Sequence, residues 1–278
     1  MINGMVRSWM SAPVITVTPE TSLTEARKII DEHQIRALPV MKGNQLVGII
    51  TKRGLLRLDL SILGNESWNQ GVEMREETVG EIMTAKPITL LPETLIPKAA
   101  RIMLENKITA LPVMENGKLV GILTNSDLLR FILAEYPGLK KTLLVKNYMT
   151  DEVVTIEKET TLLESHRLMG TKRIRSLPVI EKGGLVGLVT RTDLMSSDPS
   201  HLASRKDQEI SLRVLTQPVE RVMTKDVLTI SPDAELTEAA QLMLDHKIHV
   251  LVVLNDTKEM VGVITESDLF LMVVQKFS

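Results

Sequence analysis

Cysteine is absent from the 278-residue chain, which removes disulfides, thiolate metal sites and a cysteine nucleophile. Aromatic residues number only seven: three Phe, two Trp and two Tyr. The interior must therefore be filled by Leu, Val, Ile and fifteen Met, and platforms for stacking single-stranded nucleic acid are scarce. Charge of one sign is missing too. Thirty-three Lys and Arg against 35 Asp and Glu leave −2, which argues against nucleic acid or a membrane surface as a partner held by charge. No apolar run approaches the roughly 20 residues that span a bilayer, and the stretch Met1 to Trp9 lacks a signal-peptide core. A Gly-rich phosphate loop with a Lys, a Ser elbow and a His-Glu metal motif are likewise not found. What remains is 44% apolar and 24% charged, the composition of a globular chain long enough for two ordinary domains. The expectation is a cytoplasmic, non-enzymatic protein that needs no metal.

What the chain does have is one unit written four times. Met followed by Ser or Thr recurs at Met10-Ser11, Met83-Thr84, Met149-Thr150 and Met223-Thr224. A Gly-aliphatic-aliphatic-Thr run ends each copy, at Gly48 to Thr51, Gly121 to Thr124, Gly187 to Thr190 and Gly262 to Thr265. The distance from Met to that Thr is 41, 41, 41 and 42 residues, and such a period governs the fold. Between the two, a β-rich run (Val14 to Val17; Ile88 to Leu90; Val153 to Ile156; Val227 to Ile230) precedes a helix-start signal. Thr21 or Ser22, Thr94, Thr161 and Asp233 are the candidate caps. Helical periodicity follows, then two apolar runs around a polar turn with Gly43, Gly117 or Gly183-Gly184, which read as a hairpin. The closing Thr begins a second helix, so the unit is β-α-β-β-α and the class α/β (α+β).

Successive copies start 73, 66 and 74 residues apart. Copy one to copy three is thus 139 and copy two to copy four 140, the spacing of a pair duplicated as a pair. The expected repeats are 1–58, 75–135, 140–197 and 215–278, grouped as pairs 1–137 and 138–278. Polar linkers fall at Asp59 to Thr78 and Ser196 to Gln217, and Tyr136-Pro137-Gly138 joins the pairs. A unit of about 55 residues has too little core to stand alone, so each is expected to pack against its partner.

The chemistry concentrates after the closing Thr: Thr124-Asn-Ser-Asp127, Thr190-Arg-Thr-Asp193 and Thr265-Glu-Ser-Asp268, but Thr51-Lys-Arg-Gly54. One reading is a capping box, with the acid in the first helical turn. The other is a ligand site. The hydroxyls of Ser126, Thr192 and Ser267 are surplus to capping, and the turn sits where free backbone N–H groups favour anions. A carboxylate there can accept both hydroxyls of a ribose. Because the three acids belong to separate turns, they do not form a paired general acid and base.

These features resemble the cystathionine-β-synthase (CBS) domain. The Met-(Ser/Thr) start and the Gly-x-x-Thr-x-Ser-Asp end carry the likeness, with Ile35 to Val40, Ile108 to Val113, Ile174 to Val179 and Ile248 to Val253 as its Ile-x-x-Leu-Pro-Val segment. Only the last departs, with Val252 for Pro. Four ordered copies are similar to the γ subunit of AMP-activated protein kinase and to stand-alone prokaryotic CBS proteins. The resemblance implies tandem pairs packed into a pseudo-symmetric disc, with adenosyl ligands in clefts between paired repeats. It places Thr124, Ser126 and Asp127 opposite Thr16, Ile35, Arg36 and Ala37. It places Thr265, Ser267 and Asp268 opposite Thr150, Thr155, Ile174 and Arg175, and Thr190, Thr192 and Asp193 opposite Thr224, Thr229, Ile248 and His249. Arg36, Arg175 and His249 would meet a phosphate, although a surface Arg is ordinarily a solvated charge. The fourth cleft, with Gly54 for the acid and Thr109 at the basic position, is expected to bind weakly or stay empty.

The function implied is a sensor of adenine nucleotides (AMP, ADP or ATP) that signals to an effector protein as a monomer or homodimer. S-adenosylmethionine is the substitute ligand, its sulfonium disfavoured by Arg36 and Arg175. A structural CBS protein with empty clefts is the other alternative. His246 and His249 do not make a metal pair, since they straddle a helix end with no third ligand in view. The recurrent Met residues read as packing.

Overall fold

In the computed structural model, which describes residues 4–55, 78–136, 143–196 and 214–277, each repeat opens with a lead segment that belongs to its partner's sheet. Residues 59–77 and 197–213 of the expected linkers, and Pro137 and Gly138, lie outside the described residues. Repeat one contains α1 (Leu23–Glu32), β1 (Ala37–Lys42), β2 (Gln45–Thr51) and α2 (Lys52–Leu55). Repeat two begins with the lead helix α3 (Val79–Ile82) and β3 (Thr84–Ala85). It continues as α4 (Ile96–Asn106), β4 (Ala110–Glu115), β5 (Lys118–Thr124) and α5 (Asn125–Glu135). Repeat three has β6 (Ile156–Glu157), α6 (Leu162–Lys172), β7 (Ser176–Glu181), β8 (Gly184–Thr190) and α7 (Arg191–Ser196). Repeat four has β9 (Thr229–Ile230), α8 (Leu236–Asp245), β10 (Val250–Leu254), β11 (Met260–Thr265) and α9 (Glu266–Lys276).

The hairpins form as expected. β1 and β2, β4 and β5, β7 and β8, and β10 and β11 pair antiparallel. Gly43, Gly117 and Gly183 hold φ of 58°, 76° and 81°, the left-handed values that glycine supplies at no steric cost. The opening runs are shorter than expected. In repeats one and two they shrink to single parallel bridges, Val17 to Val40 and Leu90 to Val113. Proline fixes where the pairing can begin: Pro39, Pro112 and Pro178 have no N–H to donate toward that edge. Pairing of β6 starts only at Val179, beyond Pro178, whereas β9 pairs from Val252 itself. There the Val252 N–H reaches the Leu228 carbonyl at 3.4 Å.

Two of the expected helix caps move. Ser22 and Thr161 cap α1 and α6 as expected, but α4 starts after Leu95 and α8 after Glu235, neither with a side-chain cap. The lead segments do the capping instead. Ile96 N–H donates to Gly4 O at 2.7 Å and Leu236 N–H to Leu143 O at 3.0 Å, which satisfies first-turn donors from another repeat. Thr94 serves its own turn, accepting from Leu91 N at 3.3 Å, and Asp233 pairs with Lys146.

The lead exchange is the organising contact. Val6, Val79, Val145 and Val219, each four residues before the motif Met, are fully buried at 0% exposure. Their N–H groups bind Thr94 O, Thr21 O, Ala234 O and Thr160 O at 2.8 to 2.9 Å. The Met that follows lies over the partner's motif glycine. A Cβ on Gly121, Gly48 or Gly187 would come within 2.3, 2.3 or 2.4 Å of the sulfur of Met10, Met83 or Met223. On Gly262 it would strike Thr150 O at 2.8 Å and the Met149 sulfur at 2.9 Å. Met and Gly recur at fixed spacing because each occupies the space the other leaves.

The chain divides into two compact units. Unit 1 is Met1–Lys52, Thr78–Glu152 and Leu228–Ser278; unit 2 is Arg53–Glu77 and Val153–Val227. In unit 1, repeats two and four share one core, with α5 packed on α8 and α9 on α4. Val6 and Val145 of the lead segments insert into that core. Ala37 and Ile49 meet Ala110 and Ile122 to join repeats one and two. Unit 2 has its own core around Leu162, Met169, Leu177, Val189 and Val219.

Candidate functional site

The closing turns are capping boxes, and the hydroxyl residue inside each is spare. Asp127 Oδ2 accepts from Thr124 N at 2.6 Å and from Thr124 Oγ1 at 2.7 Å. Asp193 accepts the same pair from Thr190 at 2.8 and 2.7 Å, and Asp268 from Thr265 at 2.7 and 2.8 Å. Each acid thus has an architectural duty at its helix N-terminus. The hydroxyls of Ser126, Thr192 and Ser267 make no hydrogen bond within the protein among the described residues, and the three residues are accessible. The three acids differ at the second oxygen. Asp127 is fully buried and its Oδ1 is held by Arg130 at 2.5 Å. In repeat four the corresponding residue is Leu271, so no arginine one turn on holds Asp268, whose Oδ2 accepts from Thr265. Burial pushes the Asp268 carboxyl above its ordinary value, while the bonds from Thr265 hold it down less strongly.

The basic positions are set by the end of each first helix. Gln34, Lys107, Arg173 and Lys247 adopt φ between 53° and 57°, a left-handed conformation that non-glycine residues adopt rarely. The next residue then turns back, and the Ile35, Ile108, Ile174 and Ile248 N–H groups bond to Ile30, Met103, Met169 and Met243 carbonyls at 3.0 to 3.1 Å. This is the six-to-one bond of a Schellman ending. It leaves Arg36, Thr109, Arg175 and His249 against the closing turn of their own repeat. Their carbonyls accept from Lys52, Asn125, Arg191 and Glu266 N–H at 2.8 to 3.2 Å.

Within unit 1, Arg36 and the Asp127 turn are linked through repeat four. Arg36 Nη2 donates to Lys247 O at 2.8 Å, and Nη1 lies 3.6 Å from Glu266 Oε1. The other oxygen of Glu266 accepts from Asn125 Nδ2 at 2.5 Å, one residue past Thr124. Glu266 and Asn125 are 2% and 4% exposed. Ala37 is buried in β1 and Thr16 is exposed beside Val17. No hydrogen bond joins Asp127 itself to Thr16, Ile35, Arg36 or Ala37.

The second-pair constellations divide between the units. In unit 1, Thr150 pairs with Val263, two residues before Thr265, so Thr150 and the Asp268 turn share an edge. Thr229 opens β9 opposite Val252, with half-buried Ile248 and His249 ahead of β10. In unit 2, Thr224 pairs with Leu188, two residues before Thr190. Half-buried Thr155, Ile174 and Arg175 flank β6 and β7. No local motif marks Glu266, Asn125 or Arg130. The lead valines carry a readable signal, because Val stands four residues before Met in all four copies. A hollow of about 400 Å³ lined by Leu143, Asn147, Tyr148, Leu271 and Gln275 includes none of the expected site residues.

Comparison with known proteins gives one answer throughout the chain. The family model described as CBS domain matches residues 6–61, 79–134, 145–199 and 219–274. Protein MJ1225 of Methanocaldococcus jannaschii is 28% identical over 267 residues, 92% of this chain and 93% of that one. The 5'-AMP-activated protein kinase subunit gamma of Dictyostelium discoideum is 23% identical over 285 residues, 94% of this chain but 49% of that one. Among solved structures, MJ1225 superposes with a TM-score of 0.78 at 24% identity, covering 96% of this chain and 99% of that one. A conserved protein of Pyrococcus horikoshii superposes with a TM-score of 0.65 at 25% identity, covering 97% and 100%.

Proposed function

Because the chain belongs to the CBS-domain family, we propose that it is a non-catalytic regulatory protein that binds adenine nucleotides in clefts between paired repeats. The observation that carries this reading is the closing turn: an acid fixed at a helix N-terminus beside an unbonded hydroxyl, three times over, and absent at Gly54. Such a turn offers hydroxyls and backbone donors to a phosphate and a carboxylate to a ribose, which at Asp127 would have to take Oδ1 over from Arg130. The similarity to a subunit of an AMP-activated kinase supports AMP, ADP or ATP as the ligand. Ligand bound across two repeats would favour one relative arrangement of them, and a partner protein would read that shift.

Calorimetry with AMP, ADP and ATP tests the proposal. Up to three sites per chain are expected, and Asp127→Asn, Asp193→Asn and Asp268→Asn should each remove one. Asn is the informative substitution because it retains an oxygen for the capping N–H, whereas Ala would break the helix start as well. A ligand at 100 times its Kd should also add about 2.7 kcal/mol of stability. Four equal sites, or no loss in the variants, would contradict the assignment. One observation favours a second ligand. The Glu266 carboxylate beside Arg36 suits the cationic sulfonium of S-adenosylmethionine, which belongs in the same panel.

A further inference from the structure

We infer that Glu266 sets the charge selectivity of the cleft that holds Asp127 and Arg36. This rests on the nucleotide-binding reading and deepens it. Arg36 is the basic residue placed to receive a phosphate there, yet its guanidinium lies 3.6 Å from a carboxylate that is 2% exposed. That carboxylate comes from repeat four, in the other pair, and also accepts from Asn125 at 2.5 Å. Asn125 begins the helix whose N-terminus closes the Asp127 turn. Glu266 therefore touches both the phosphate-binding arginine and the turn that would hold the ribose.

A buried carboxylate at this place has two effects on an entering anion. It holds Arg36, so a phosphate must draw the guanidinium away from an existing partner. It also repels, and the repulsion grows with every negative charge added near Arg36, more strongly in the interior than in water. Adenosine has no phosphate and experiences neither effect. AMP retains one favourable contact with Arg36 at moderate cost, whereas the triphosphate adds charge close to Glu266. The cleft is thereby set for a ligand of low negative charge, and the selection is exercised across the boundary between pairs.

The test uses the full chain with Asp193→Asn and Asp268→Asn, so that the Asp127 cleft is the one titrated, with adenosine, AMP, ADP and ATP in magnesium-free buffer. Glu266→Gln keeps the side-chain shape and the acceptor for Asn125 while removing the charge. It should tighten ATP roughly tenfold and AMP roughly threefold, in the order of ligand charge, with adenosine unchanged. In an Arg36→Gln background the gain should shrink but keep the order of ligand charge, because only the repulsion by Glu266 remains to be relieved. Equal changes for all ligands, adenosine included, would mean a structural role and overturn the inference. Unchanged AMP and ATP affinities would overturn it too and leave the nucleotide reading in place. Absence of binding by any ligand to the parent protein would overturn both. If Glu266→Gln fails to fold, the unsubstituted Glu266 protein decides the matter by itself. Affinity should peak at AMP and fall with each further phosphate, and a rise from AMP to ATP would refute the selectivity.

Discussion

At the scale of single residues, the three acids of the closing turns are not equivalent. Burial pushes the Asp268 carboxyl up from its ordinary value of 3.8. The folded state thus binds this proton more tightly than the unfolded chain does. Its stabilising contribution is complete below the unfolded value and is lost as pH rises through the higher folded one. Asp268→Asn removes that loss. The stability of the variant relative to the parent should therefore improve as pH is raised from about 3 to 6, measured by urea denaturation at each pH. A difference that stays flat or moves the other way would contradict the assignment. The capping role of Asp127, Asp193 and Asp268 was legible beforehand as one of two readings. Arg130 at the second oxygen of Asp127 was not, because a charged residue one helical turn away is ordinarily a solvated face.

At the scale of elements, the lead segment and the hairpin it covers are the pair to probe. Gly262→Ala would set its Cβ 2.8 Å from the Thr150 carbonyl, a backbone atom, and should cost about 2–3 kcal/mol. Gly121→Ala meets the end of the Met10 side chain, which can shift, and should cost about 1 kcal/mol. Chemical denaturation orders the two. Combining Gly121→Ala with Met10→Ala should cost less than the sum of the single changes, since the two residues compete for one space. The positions of the hairpins, the helices and both motifs could be read from the repeat. Which repeat's glycine each methionine covers could not, because a one-dimensional period is silent on exchange between copies. The same exchange explains why Thr94 and Asp233 failed as caps. Carbonyls of Gly4 and Leu143, far away in sequence, hold the helix starts that local chemistry assigned to neighbouring side chains.

At the scale of the whole molecule, a few aromatics tie together three repeats of unit 1. Trp9 of the first lead segment meets Phe131 of repeat two edge-on at 5.4 Å, and Phe131 meets Phe277 of repeat four at 5.1 Å. Phe131 is fully buried. Phe131→Ala should cost about 3–5 kcal/mol and loosen repeats two and four together. Amide exchange should show α4, α5, α8 and α9 losing protection in parallel. Loss confined to repeat two would argue against a shared core. That core was beyond the reach of the repeat pattern, which marks the apolar face of every helix but not the face it meets. The exchanged lead segments also impose a schedule on synthesis. Met10 leaves the ribosome 111 residues ahead of Gly121, the residue it must cover, an interval of roughly 6–20 s at typical elongation rates. For that time Met10 stands without the glycine it covers, and for a shorter one, 35 residues from Gly48 to Met83, the edge of β2 waits for its own partner. The first repeat is therefore born incomplete and can finish only together with the second.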